Sequence, residues 1–304
     1  MTLSGRILPT TVVGSYPVST GTTGALSRLR RLVDTGAEAR EIAVSDQISA
    51  GIDIISDGQV RGDMIRSFTS HIPGIRGQRV VGKVLPSASP ITLADVKYAL
   101  SRHGKVKGII TGPSSLAHAL QIATPLYRNR EELVLDLAVA LSQEAKALEE
   151  AGVTLIQIDE PILSTGAADL AAGRQAVNTI ISVVDIPTAL HCCGELDSVI
   201  DDILAINVDV LDLEFARSPE NLDLLSGRDL KRRMVGFGCV DSADPAVEAV
   251  GTIIGRLSRA VDVLGPESIL VDPDCGLRML ERDAAYAKLS RMVEAARTLR
   301  SELA

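Results

Sequence analysis

Histidine, cysteine and glutamate, residue types that bind zinc-like cations, recur in this 304-residue sequence beside short apolar runs. His191 and Cys193 stand two apart where the run Thr188–His191 ends. Strand side chains alternate between faces, so such a pair points at one ion while Cys192 faces away. Glu214 ends the run Val208–Glu214, and Cys275 follows the run Ser268–Asp272. One nitrogen, two sulfurs and one carboxylate oxygen suit a tetrahedral zinc ion, and the exchangeable carboxylate marks a catalytic rather than a closed structural site. A thiol with a free pKa of about 8.5 is mostly protonated at neutral pH, whereas zinc coordination removes its proton and makes it a nucleophile. Cysteine is also among the most buried residue types. Cys192 and Cys239 are therefore assigned to packing, His71 and His103 to surface segments, and His118 to an early helix turn.

Groups so far apart in the chain meet only if the elements carrying them line up. Apolar, β-branched runs alternate throughout with longer amphipathic stretches, the signature of βα units and a parallel sheet. Strands are expected at Thr11–Ser15, Ile52–Asp57, Gly108–Thr111, Thr154–Asp159, Thr188–His191, Val208–Glu214, Met234–Val240 and Ser268–Asp272. Between two of them, Asn129–Glu150 repeats Leu133, Leu137, Leu141 and Ala145 at four-residue spacing, which predicts a helix with one apolar face. Eight strands alternating with helices predict an α/β fold, a (β/α)8 TIM barrel, as a single domain over residues 1–304. The segment at about 70–90 reads as a hairpin insertion after the second strand, with a helix starting at Leu93. An open doubly wound sheet is disfavoured, because Val12-Val-Gly-Ser-Tyr-Pro17 is no G-x-G-x-x-G turn.

In a barrel of this kind, chemistry sits at the C-terminal ends of the strands. Asp159, at one such end, suits pairing with a substrate ammonium, or alternatively helix capping beside Pro161. Ser15, in Val13-Gly14-Ser15-Tyr16-Pro17, offers hydroxyl or backbone donors to a carboxylate. A net charge of −8 gives no general attraction for phosphate backbones or anionic lipid, so neither nucleic acid nor membrane is an expected partner. With 46% hydrophobic residues, no signal-peptide pattern and no run of eighteen apolar residues, the expectation is a well-packed cytoplasmic protein.

These motifs resemble the catalytic barrel of cobalamin-independent methionine synthase over nearly the whole length: Val13-Gly14-Ser15-Tyr16-Pro17, Gln157-Ile-Asp159-Glu160-Pro161, His191-x-Cys193, Glu214 and Asp272-Pro-Asp-Cys275-Gly276. The resemblance implies zinc ligation by His191, Cys193, Glu214 and Cys275, with Ser15 and Asp159 holding the amino-acid end of homocysteine. Val13, Gly14 and Gln59 join them as expected substrate-binding positions. The sequence also departs from the family. Its pterin-contacting tryptophan falls at Ala119 and the sequence has no Trp, its proton-donating histidine falls at Ala243, its acidic folate contact falls at Thr165, and the glutamate that binds the homocysteine amine is Gln59.

Loss of the general acid fits a methyl donor whose leaving group needs no proton, as when a cobalt-bound methyl leaves Co(I). The expected donor is a methylcorrinoid, methylcobalamin or a corrinoid partner protein, rather than methyltetrahydrofolate. Asp241, with Asp244 nearby, is the replacement acid if a folate is used, and Asp159 and Asp241 are the candidate catalytic carboxylates. Two rival expectations are a zinc enzyme methylating or alkylating another thiol such as coenzyme M, with Arg61 or Arg217 gripping the sulfonate, and a non-catalytic zinc- or corrinoid-binding subunit.

Overall fold

A computed structural model describes Leu3, residues 5–18, Asp34 and residues 36–303. After helix α1 (Ala37–Ala50) and the short α2 (Met64–Thr69), the predicted insertion forms an antiparallel hairpin of β1 (Ile75–Arg76) and β2 (Arg79–Val80). Helix α3 (Leu93–Arg102) follows, starting at the predicted residue, and leads into β3 (Lys107–Thr111). Next come α4 (Pro113–Ala119) and β4 (Gln121–Ile122), which pairs in parallel with β2 and so ties the insertion down. The chain continues through α5 (Arg130–Glu150), β5 (Leu155–Asp159), α6 (Leu170–Ile181), β6 (Thr188–Cys192), α7 (Ile200–Leu204) and β7 (Val210–Glu214). It ends with α8 (Asn221–Leu225), β8 (Met234–Val240), α9 (Val250–Leu264), β9 (Ile269–Pro273) and α10 (Arg282–Leu303).

Six strands form one sheet in the order β3-β5-β6-β7-β8-β9. All are buried along their length, as continuous apolar runs covered on both faces should be. The first two expected strands are much shorter than their apolar runs suggest. Thr11–Ser15 and Ile52–Asp57 contribute only parallel bridges, Thr10 to Val271, Thr11 to Ile54 and Ile55 to Val106. Beyond those bridges the backbone turns to side-chain partners: Thr11 Oγ1 donates to the Ile54 carbonyl at 2.7 Å and Ser56 Oγ to the Gly14 carbonyl at 2.9 Å. With these bridges the parallel pairing order runs through eight staves and returns to the residue before β3.

The residues sort into two compact units, Met1–Arg61 with Tyr98–Val106 and Leu213–Ala304, and Gly62–Lys97 with Lys107–Asp212. In the second, α5 starts on Asn129, whose side chain accepts from the Glu132 amide at 3.0 Å, and buries Leu133, Leu137, Leu141 and Ala145 as its spacing predicts. Gly108 lets that helix close on the sheet, since a Cβ there would stand 2.9 Å from Leu148 Cδ1. In the first, Arg300 on α10 donates to the Leu8 carbonyl at 2.7 Å and to Asp53 at 3.1 Å, fastening the start of the chain. His118 lies in the last turn of α4 rather than an early one, because that helix stops at Ala119.

Candidate active site

His191 ends up on β6 almost wholly buried, and its Nδ1 lies 3.0 Å from Asp212 Oδ1 on β7. A carboxylate on one ring nitrogen fixes the tautomer and places the lone pair on Nε2, the usual support for a metal-binding imidazole. Cys193, two residues on, is half-buried, while Cys192 between them is fully buried with its thiol pushed up to about 12 by burial. Cys239 is likewise buried and raised by burial. The potential ligand atoms of His191 and Cys193 lie within 4.8 Å of each other. A nitrogen beside a thiol is the chemistry zinc prefers. Glu214, at the end of β7, accepts from Ser218 Oγ at 2.9 Å.

Around Cys275 the local structure is built by Asp274. Its carboxylate accepts the amides of Phe215 at 3.0 Å, Ala216 at 2.8 Å and Arg217 at 2.9 Å, so it anchors the loop that follows Glu214 beside the loop that carries Cys275. Burial pushes this carboxyl up to about 7, against the pull of those donors. Gly276 leaves room for the Ser15 hydroxyl, which a Cβ there would force to rotate away, and the Ser15 carbonyl accepts from the Leu277 amide at 2.8 Å. Val13, Gly14, Ser15, Cys275 and Gly276 thereby line one small cavity.

The expected substrate residue Gln59 has a left-handed backbone, φ 46°, held by Arg278 donating to its carbonyl at 2.9 Å. A non-glycine residue in that region stores strain of roughly 1–3 kcal/mol, which persists where the surroundings over-determine it. Asp159, at the end of β5, is buried and is pushed up to about 6 by that burial, opposed by His191 and by Gln157, whose Nε2 donates to Asp159 Oδ1 at 2.7 Å. It caps no helix; Glu160 occupies the cap position of the following 3-10 turn, Pro161–Thr165. Asp241 spends its Oδ1 on the amides of Ala243 at 2.8 Å and Asp244 at 3.3 Å, closing its own turn.

Four residues here escaped the sequence reading. Asp212 and Lys107 are charges inside otherwise apolar strands, and that conflict was the available signal. Glu160, fully buried, receives the Ser114 amide, the Ser115 amide and Ser115 Oγ, each at 2.8 Å, and burial still lifts it to about 7. Asp274 was visible only as part of a motif.

The family model described as "Cobalamin-independent synthase, Catalytic domain" matches residues 8–298. A methionine synthase of Methanothermobacter marburgensis is 42% identical over 306 residues, covering 94% of this chain and 98% of its own. Another from Saccharolobus solfataricus is 33% identical, with 98% and 96% covered. Among solved structures, a B12-independent methionine synthase from Shewanella sp. W3-18-1 in complex with selenomethionine superposes with a TM-score of 0.82 at 24% identity, covering 98% of this chain and 99% of that one. At that identity it speaks for the fold, the (β/α)8 barrel whose eight staves the pairing order traces. Matched across almost its whole length by the family model and by relatives of equal size, the chain belongs to the cobalamin-independent methionine synthase family, in the form of its catalytic domain.

Proposed function

We propose that this chain is a zinc-dependent methyltransferase, one working domain in the cytoplasm, that forms methionine from homocysteine with a methylcorrinoid as donor, free or presented by a partner protein, rather than methyltetrahydrofolate. The observation that carries the zinc reading is the close approach of His191 and Cys193, with Asp212 behind the imidazole; Cys275 is the third ligand of the set that the sequence motifs imply. Glu214, anchored next to the Cys275 loop through Asp274, is the fourth and exchangeable ligand. When bound, zinc holds a thiol as thiolate at neutral pH. The protein's own residues do the rest. Ser15 and the backbone of Val13 and Gly14 receive the substrate carboxylate, while Asp159 and Gln59 receive its ammonium, which holds the sulfur in one orientation toward the donor.

Three features support the corrinoid donor. Ala119, at the end of α4, offers no stacking surface to a pterin; Thr165 is exposed and uncharged; and Asp241 and Asp244, on either side of Ala243, both accept backbone amides in their own turns. In the transfer, the S–CH3 bond forms as the Co–C bond breaks, and the electron pair stays on cobalt, so no general acid is needed. Against coenzyme M as the acceptor, Arg61 already holds Asp34 through two bonds of 2.6 and 2.9 Å, and Arg217 lies 4.0 Å from Asp241. The test is a matrix of donors and acceptors on one zinc-replete preparation. Methylcobalamin with homocysteine should turn over; turnover of methyltetrahydrofolate without any of methylcobalamin would overturn the donor assignment.

A further inference from the structure

Five side chains of the unit that includes Lys107–Asp212 form a continuous buried network. At its centre is Lys107, on the first residue of β3, with no solvent exposure. Its Nζ donates to Gln157 Oε1 and lies 3.8 Å from Asp212 Oδ2. Gln157 Nε2 in turn donates to Asp159 Oδ1 at 2.7 Å, and Asp212 Oδ1 stands 3.0 Å from His191 Nδ1. Burying an ammonium costs several kcal/mol unless partners surround it. Here both partners lead into the site, one toward the imidazole ligand and one toward the carboxylate that receives substrate.

We propose that Lys107 is a positioning residue for the methylation reaction, acting through two arms. An ammonium has donors only, so Gln157 must turn its Oε1 to Lys107 and its Nε2 to Asp159. That fixes Asp159 through Oδ1 and leaves Oδ2 for the substrate ammonium. On the other side, the charge of Lys107 complements Asp212, which accepts a hydrogen bond from His191 Nδ1–H and so leaves Nε2 as the metal-binding nitrogen. One buried lysine thus keeps the metal ligand and the amino-acid clamp in mutual register. This inference rests on the zinc reading above.

The test compares Lys107→Met, Asp212→Asn and Gln157→Met, each first shown to be folded by circular dichroism. Zinc affinity is read by chelator competition, and the homocysteine KM at saturating zinc. D212N should lose zinc affinity by roughly 10- to 100-fold, the usual effect of removing a contact that supports a metal ligand, with little change in KM. Q157M should raise KM and leave zinc affinity alone, and K107M should do both. A purely structural lysine would lower melting temperatures without this crossed pattern. A folded K107M within about twofold of wild type in both readouts would overturn the proposal. Should K107M not fold, the other two decide it: the proposal falls if both change the same readout or neither changes any. Wild-type protein that binds no zinc overturns the underlying functional reading, whereas wild type that binds zinc no better than K107M overturns only the role of Lys107.

Discussion

Each sulfur in the proposed centre answers to a separate test. Cys193→Ser and Cys275→Ser replace a soft ligand by a weak one. Zinc retention after dialysis should fall by at least the roughly 10- to 100-fold seen when only a supporting contact is lost. Cys192→Ser puts a hydroxyl into a fully buried pocket, costing about 1–3 kcal/mol of stability, yet should keep its zinc, as elemental analysis would show. Glu160 gives a prediction about pH. Its folded pKa, about 7, lies above the usual carboxylate value because burial outweighs three donors, so the folded state holds more protons than the unfolded one between about 4.5 and 7. Stability contributed by this group is therefore complete below that window and is lost as pH rises through it. Melting temperatures of Glu160→Gln should lack this component of the decline.

At the scale of elements, the insertion is held by one helix. Glu144 on α5 accepts the Ile91 amide at 2.6 Å, the Thr92 amide at 2.8 Å and Thr92 Oγ1 at 2.7 Å. Asp136 on the same helix takes the Tyr127 hydroxyl at 2.7 Å, which itself receives the Val84 amide at 2.8 Å. Glu144→Ala leaves those donors without their acceptor and should destabilise the fold by about 1–3 kcal/mol in chemical denaturation. The existence of this hairpin and the Leu93 start of α3 were readable from the apolar patch and the helical spacing; its pairing with Gln121–Ile122 was not, because two-residue strands leave no periodicity. The six central strands were legible as β-branched runs, and the alternation rule foresaw that the ligand atoms of His191 and Cys193 come close together. Asp212 escaped because Val210-Leu-Asp-Leu-Glu214 was read for the ligand at its end, and Lys107 because its strand was expected to begin one residue later. The first two staves were overestimated, since Val12 and Val13 bury their side chains from an irregular backbone.

For the molecule as a whole, the last helix secures the beginning of the chain. Arg300 reaches the Leu8 carbonyl and Asp53, and Asp53 also accepts from the Thr10 amide at 2.9 Å. Arg300→Ala should cost about 1–3 kcal/mol and release the N-terminal segment to proteolysis, with zinc affinity unchanged. The thin bridging at Thr10, Thr11, Ile54 and Ile55 has a kinetic implication. Backbone amides there should exchange with deuterium through local openings, faster than those of the fully paired β8 and β9, as hydrogen-exchange mass spectrometry would show. Ser15 and Gln59 follow on from these loosely stitched stretches, so on the proposed reading homocysteine binding should slow that exchange first.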